Sequence, residues 1–595
     1  MKNIKTALIF IFRSPNYLWI IIILLALFLR LFALNLNPVG LSHDDELHEI
    51  INAKSLALTG SHAPGRVSGI FTQNDQCPGN CVYGELGSYI LIPWMWVFPL
   101  SLFWSKIPFV IASLGIVFFT GKLFENLSNN LKIGLLAGLA VAINPWAIHF
   151  GRTAYLTTFS YLFYILGAYF FTRRRNFKSN LITGTIFSIL GSMFYFGTKP
   201  ILPLIIFWGI AYNYLSLGLK NIKFTLILVL ITGLLIGTYL VVLSNSFAGR
   251  RIQEVATASQ DTIKQEVNNQ RRITLELPFF RDAVINKFTV DINLRAEKIL
   301  SFFNPTFLFL KSTGNTDIYY DSNHGYFYLI DIPFLLFGIM ALSSNLMIGI
   351  FVLSLILLSV FPAAIKTTGD TIYALRTALA YPLISGVVAW GIYYCYKNLL
   401  VFKRFFIFLV ISCYILSLGY FQVMYWYRTP IDKSIGWYHH KRILTNYITR
   451  MNRTINKNII VVTAQPADTF NTYVFFSGLY SNINNILEIN NIFKSQNYQY
   501  QGVRFINSCH EITKDNLAKD IIFVEQTVKC EINQKNTAKI ANPKDGGGIY
   551  NIINETLCNK NSKNRYPYPR SIYDFRVENL SDQDFCNIWI TNPDQ

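Results

Sequence analysis

The sequence predicts a polytopic α-helical membrane protein that ends in a separate α/β domain, and three observations predict it. Of the 595 residues 52% are hydrophobic and 14% charged, with 48 phenylalanines and a mean hydropathy of +0.33. A water-soluble chain has no interior large enough to hide that much apolar surface. Apolar runs of spanning length recur from residue 17 to 423, and after about residue 426 the composition turns polar. The basic residues that give the net charge of +19 cluster between the runs, as cytoplasmic loops of membrane proteins require. That placement accounts for the charge without a nucleic-acid partner.

Lys2, Lys5 and Arg13 precede the first run, 17–36. It is too long for a signal peptide and lacks a small-residue cleavage site, so it reads as a retained anchor with a cytoplasmic N-terminus. Arg30, near its outer end, is expected to snorkel to the interface. Further runs lie at 107–122, 132–149, 154–171, 181–196, 200–217, 223–244, 326–343, 346–363, 373–396 and 405–423. The stretch 88–104 holds Pro93, Trp94, Trp96 and Pro99 and decides the topology. Read as an interfacial or re-entrant helix, it places Lys122/Lys132, Arg173–Arg175 with Lys178, Lys220/Lys223 and Lys397/Lys403/Arg404 all inside; read as a crossing, it puts the arginine cluster outside. The expectation is therefore about eleven transmembrane helices in a multi-pass protein of the cytoplasmic membrane.

The domains follow. Residues 1–425 form the membrane domain, with a first outer loop at 37–106, a larger outer segment at 245–325 and short outer turns at 150–153, 197–199 and 364–372. Residues 426–595 form an extracytoplasmic soluble domain. Cys77 and Cys81 lie in the first outer loop and Cys509, Cys530, Cys558 and Cys586 in the tail, even numbers that suit disulfides in an oxidising compartment. The tail spacings are too wide for a zinc finger, and Cys395 and Cys413, in or beside spans, are expected to be inert. A helical pattern at 433–451 and β-like runs at 459–463, 473–476 and 520–524 predict a small α/β fold. The glycine-rich 542–548 is a turn, because no Gly-Lys-Ser/Thr follows it.

Chemistry concentrates at 41–49, Leu-Ser-His-Asp-Asp-Glu-Leu-His-Glu, just beyond the first run. Four carboxylates and two imidazoles within seven residues are costly to desolvate, so they stay wet, bind a cation or react. Ser42 or Asp44 suits a helix cap with Asp45 and Glu46 in the first turn, but three adjacent acids exceed what a cap needs. Asp44, Asp45 and Glu46 meet the requirement for a general base, and crowding of like charge raises at least one pKa. His43, Asp44, Asp45 and His48 offer metal ligands in a spacing that matches no zinc motif, so no cofactor is required and a divalent cation stays open. At the outer ends of other spans stand Arg152, Lys199, Lys366 and Arg376, with His324 ahead of another. Together they suit a phosphate-bearing lipid, since cations neutralise a phosphate leaving group. The arginines of 245–325 (Arg250, Arg251, Arg271, Arg272, Arg281) read as a solvated charged surface. Outside the membrane no nucleotide is at hand, so a polyprenyl-phosphate-linked sugar is the activated donor such a site fits. Displacement by an alcohol with one base inverts the anomeric carbon.

Short motifs now add a resemblance. Asn37-Pro38-Val39-Gly40-Leu41 followed by Asp45-Glu46, Lys106-Ile107-Pro108-Phe109, the turn from Asn144-Pro145-Trp146 to Arg152, Phe303-Asn304-Pro305, His324-Gly325-Tyr326, Asp331-Ile332-Pro333 and Tyr373-Ala374-Leu375-Arg376 run in one order. In that order the chain resembles the GT-C glycosyltransferases, specifically the protein O-mannosyltransferase and aminoarabinose-transferase group (glycosyltransferase family 39 and bacterial relatives), over residues 10–425. The resemblance implies a GT-C-like membrane fold, Asp45 as catalytic carboxylate, and Glu46 positioning it or the acceptor. Asp44 makes that assignment ambiguous by one residue, and the two histidines lie outside the family pattern. The acceptor stays open among lipid, polysaccharide and protein hydroxyls. A transporter or flippase is the alternative, but it calls for ionisable residues at mid-membrane, and the predicted spans are nearly charge-free. An anchor for the tail would need far fewer spans.

Overall fold

The computed structural model describes residues 16–41, 43–64, 67–68, 82–216, 222–275, 278–311, 324–365, 374–399, 401–454, 457–530, 535–558, 563–564 and 566–593, with the backbone alone at 16, 43–45, 67–68, 82–83, 247–248, 250–258, 278–279 and 454. Each of the eleven apolar runs holds a helix: Asn16–Leu31, Leu102–Ser128, Leu131–Ile143, Thr157–Thr172, Phe177–Phe194, Leu202–Ser216, Ile222–Ser244, Asp331–Ser343, Leu346–Ala364, Ala380–Asn398 and Lys403–Val423. Among the described residues four are long and apolar enough to cross a bilayer: Leu102–Ser128, Ile222–Ser244, Leu346–Ala364 and the last helix continued to Asp432. The run 132–149, expected as one span, is broken. Pro145 cannot donate to the preceding helix, and Asn144 caps a new helix, Pro145–Phe150, by accepting from Ala147 N at 2.9 Å. Small residues let the helices close up: a Cβ on Gly338 would run into Val387 O, and one on Gly391 into Phe334 O.

The stretch 88–104 holds Gly87–Val97, a helix of 11 residues about 16 Å long, and the start of the next helix, Leu102–Ser128. Ser101 caps the next helix, and Trp94, Phe98 and Trp104 stack with centroids 4.2 Å apart at the joint. Trp96 is 69% exposed, as an aromatic belt residue is. Segment 245–325 is largely helical (Phe247–Ile273, Pro278–Val284, Lys287–Phe302), and Arg271 and Arg281 pair with the exposed Asp282 on its surface. The side chains of Arg250 and Arg251 lie outside the described residues.

Arg30 departs from its expectation. It is fully buried rather than snorkelling, donating to Ser113 Oγ at 2.8 Å and to Ala142 O at 3.0 Å. Ala142 O and Val141 O, which it meets, are last-turn acceptors of Leu131–Ile143 and carry the negative end of that helix dipole.

The tail builds a seven-stranded sheet in the order β4-β5-β3-β6-β8-β7-β9, from β3 (Ile459–Val462), β4 (Gln499–Tyr500), β5 (Val503–Ile506), β6 (Ile521–Glu525), β7 (Ala538–Ala541), β8 (Gly548–Ile553) and β9 (Ile590–Thr591). A separate two-residue ladder, β1 (Val67–Ser68) with β2 (Val82–Tyr83), belongs to the first loop. β5, β3 and β6 are parallel, and the remaining pairs of the large sheet are antiparallel. The apolar runs of β3 and β6 are buried on both faces, as central parallel strands are. The expected strand at 473–476 is instead the last turn of helix Pro466–Phe476. Pro466 at its first position starts the helix, and Phe470, Tyr473 and Val474 recur at helical spacing on its buried face. Cys509 pairs with Cys530 and Cys558 with Cys586, while Cys395 and Cys413 stay unpaired. Cys77 and Cys81 lie outside the described residues.

Candidate active site

Residues 32–41 connect the first helix to the acidic helix His43–Thr59 as a strap without regular structure. Such a strap has no ladder for its carbonyls, and a buried carbonyl left unpaired is costly. Three buried cations satisfy them. Arg152 donates to Asn37 O through Nε (3.1 Å) and Nη2 (2.8 Å), to Ala33 O (3.0 Å), and through Nη1 to Leu29, Arg30 and Phe32 carbonyls. Lys106 Nζ donates to Pro38 O at 3.1 Å, and Arg442, from the tail, donates to Val39 O. Arg442 is held in turn by a bidentate pair with Glu578 at 2.7 and 2.6 Å. At Gly40 a Cβ would overlap the Trp437 carbonyl oxygen, so the strap is pressed directly against the tail.

The strap delivers the acidic helix into a buried polar layer. The backbone of Asp44 and Asp45 forms its first turn; their side chains lie outside the described residues. Glu46, fully buried, accepts a hydrogen bond from Ala154 N, in the turn that carries Arg152, and its charge attracts Lys106. Three residues on, Glu49 accepts from Ser88 Oγ, which also accepts from Asn52 at 2.8 Å. Lys54 reaches the end of helix Gly87–Val97, donating to Met95 O (2.7 Å) and Phe98 O (3.0 Å). The tail holds the helix from the other side: Asn471 Nδ2 lies 3.1 Å from His48 Nε2, and Asn490 donates to Ser55 Oγ at 3.1 Å. His48, offered by the sequence as a metal ligand, is thus engaged by the tail.

A third acid, Glu85, was not singled out from sequence. It is fully buried and takes Lys199 Nζ on both oxygens at 2.8 and 2.6 Å, with Tyr239 donating to Oε1 at 2.7 Å. Burial pulls the Lys199 pKa down, and Glu85 opposes it. The available signal was a lone acid in an otherwise apolar stretch, opposite a lysine expected at the same face.

The other predicted residues are placed as follows. Arg376 is half-buried on the short helix Ala374–Thr377, tied down by Tyr161 donating to Leu375 O. His324 is buried with its ring edge-on to Phe421 (5.2 Å) and Tyr328 (5.7 Å), and Nδ1 2.6 Å from Gly325 O. Lys366 lies outside the described residues. Beneath the layer, Trp146 stacks on Phe150 and Tyr381 at 4.3 Å each, and Tyr381 on Tyr326 at 4.9 Å. Beside the strap a cavity of about 530 Å³ has one wall of Leu100, Phe103 and Trp104 and another of Phe476, Arg442 and Glu578, with Asn35 between them. Apolar on its membrane-helix side and charged on the tail side, it matches an amphiphile with a polar head.

No family model and no curated protein matches the sequence. Among solved structures the chain is similar to ArnT from Cupriavidus metallidurans bound to undecaprenyl phosphate, at TM-score 0.44 and 9% identity over 90% of this chain and 97% of that one. It is also similar to the archaeal oligosaccharyltransferase AglB from Archaeoglobus fulgidus in complex with an inhibitory peptide and a dolichol-phosphate, at TM-score 0.45 and 10% identity over 86% and 69%. A third is the Archaeoglobus fulgidus oligosaccharyltransferase tethered with an acceptor peptide, at TM-score 0.41 and 11% identity over 80% of this chain; this chain spans 65% of that one.

Proposed function

We propose that this chain is a membrane glycosyltransferase that moves a sugar from a polyprenyl-phosphate donor to a hydroxyl of a lipid, polysaccharide or protein acceptor. Asp45 is the base, with Glu46 and Asp44 assisting. The observation that carries the reading is that the acidic helix and the turn bearing Arg152 meet through Glu46 and Ala154 N. They meet in a buried layer beside an amphipathic cavity. Asp45 takes the acceptor's hydroxyl proton as the oxygen attacks the anomeric carbon. The bond from that carbon to the phosphate oxygen breaks, and its electron pair leaves with the lipid phosphate. Attack opposite the leaving group inverts the centre. Arg376, His324 and Lys366 contact the departing phosphate. Arg152 adds positive potential from a position where its donors hold backbone carbonyls, and Lys199, its charge balanced by Glu85, assists at the same face. In this reading the chain crosses the membrane eleven times, with the N-terminus cytoplasmic and the tail outside.

Asp45→Asn, purified and supplied with a radiolabelled polyprenyl-phosphate sugar and membrane-extract acceptors, is expected to lose transfer with its thermal unfolding unchanged. Wild-type transfer by that variant would remove Asp45 from the mechanism.

A further inference from the structure

The tail carries a second cavity, of about 420 Å³, at the carboxyl ends of β3 and β5. The two parallel strands finish together, Val462 opposite Ile506, with Thr463 N donating to Ile506 O at 2.9 Å. The segments leaving them part to form the hollow. Open α/β sheets hold their ligands at this edge. The lining is dense in planar hydrogen-bonding groups: Gln465, Asp468, Asn497, Asn507 and Arg504, with Tyr498 and Phe505, whose rings pack on Phe470, at its base. Arg504 is neutralised by an ion pair with Glu511, also at the rim. Two carboxylates against one guanidinium leave the hollow slightly negative, which disfavours a phosphate or carboxylate ligand.

Amides that donate and accept, and carboxylates that accept, held close together with the one guanidinium already ion-paired, are the groups that recognise vicinal hydroxyls. We infer that this cavity is a saccharide subsite that holds a neutral sugar unit of the acceptor. The inference rests on the glycosyltransferase reading and narrows its acceptor to a hydroxyl on, or attached to, an oligosaccharide. The geometry links the two sites. Helix Pro466–Phe476 begins at this cavity with Pro466 and Asp468 and ends with Phe475 and Phe476 in the wall of the cavity beside the strap. Midway, Asn471 touches His48 of the acidic helix. Its 11 residues separate the sites by about 16 Å, a distance that a chain of several sugar units bridges.

The test uses the purified full-length chain in detergent. Neutral oligosaccharides of two to six units from the gluco-, manno- and galacto-series are screened by saturation-transfer NMR. The variants are Asn507→Trp and Gln465→Trp, which fill the hollow from opposite exposed rims, and Asp45→Asn. At least one series is expected to show saturation transfer to wild type and to Asp45→Asn alike. That signal falls tenfold or more in both tryptophan variants, whose thermal unfolding stays at the wild-type value. No signal from any series, or a signal unchanged in both tryptophan variants, overturns the inference. The base assignment is tested separately, because Asp45→Asn is read by transfer and the subsite by binding.

Discussion

Lys199→Met is expected to destabilise the protein by about 4 kcal/mol near pH 7.5 and by much less near pH 5.5. The Glu85 side chain is fully buried and that of Lys199 is 7% exposed, so solvent screens the pair little. Removing one partner of a buried ion pair costs about 3–5 kcal/mol. The ceiling follows from the orphan's escape route. With Lys199 gone, Glu85 keeps the Tyr239 hydroxyl and otherwise takes up a proton. Protonating a carboxyl of ordinary pKa about 4.3 at pH 7.5 costs roughly 1.4 kcal/mol per unit, or about 4 kcal/mol; at pH 5.5 it costs about 1.6 kcal/mol. Acidification therefore returns about 2.5 kcal/mol to Lys199→Met relative to wild type. Glu85→Gln runs the other way, because an orphaned ammonium sheds its proton more easily as pH rises. The double variant Lys199→Met with Glu85→Gln removes both charges and is expected within about 2 kcal/mol of wild type, since neutral replacement of a buried pair is often tolerated. Thermal unfolding of detergent-purified protein at the two pH values, followed by tryptophan fluorescence, reads all four proteins. Equal losses by Lys199→Met at both pH values, or a double variant as unstable as the two singles added, would refute the reasoning. A double variant that regains stability but transfers no sugar would show that Lys199 also acts on the donor.

Two further predictions concern the tail and its seat on the strap. His439 and His440 are buried neutral: burial, then Arg442 and His440, holds His439 well below the usual imidazole range, and burial with Lys441 pushes His440 down to about 3. Their folded pKa values are depressed, so the stability they confer is complete above the unfolded value and lost as pH falls. From about pH 6.5 down, only the unfolded chain binds these protons, and by pH 5 the two cost about 4 kcal/mol. His439→Phe with His440→Phe should flatten the unfolding temperature between pH 7 and pH 5, and a slope as steep as wild type would show that other groups set it. Gly40→Ala drives a methyl into the Trp437 carbonyl, an overpacking of about 1–3 kcal/mol. Because the strap aims the acidic helix, sugar transfer should fall by about tenfold or more; transfer at the wild-type rate would mean the strap yields without moving that helix.

How far the sequence carried depends on whether a feature is local. The eleven helices were legible because each is a window of consecutive apolar residues, and the four tail cysteines paired as their even count implied. The break at Asn144–Pro145 was written in the chain too, but a long apolar window overrode a single proline. At 473–476, Tyr-Val-Phe-Phe carries the β-branched and aromatic content of a strand, and only its register with Pro466 and Phe470 reveals a helix. Glu85 was passed over because one acid among apolar neighbours has no pattern; its meaning comes from Lys199 and Tyr239, more than a hundred residues away.

The cations show where such reading stops. Arg30 and Arg152 were expected to reach the interface or a lipid phosphate, since a basic side chain at the end of a span needs a polar partner. Both found backbone carbonyls, Arg30 at a helix end and Arg152 along the strap. A carbonyl is present at every residue and leaves no trace in the sequence, so side-chain composition cannot separate an anion clamp from a carbonyl clamp. In the proposed mechanism the two roles meet. Arg152 and Lys106 have donors on residues 29–38, and their charges stay in the layer that Glu46 enters; Arg442 gives one donor to Val39 and pairs its others with Glu578. A donor phosphate approaching that layer would meet positive potential from residues already immobilised, at no further cost in side-chain ordering. In the proposed mechanism the clamped strap is therefore part of the catalytic apparatus, because it places the acidic helix and the positive potential with one set of hydrogen bonds.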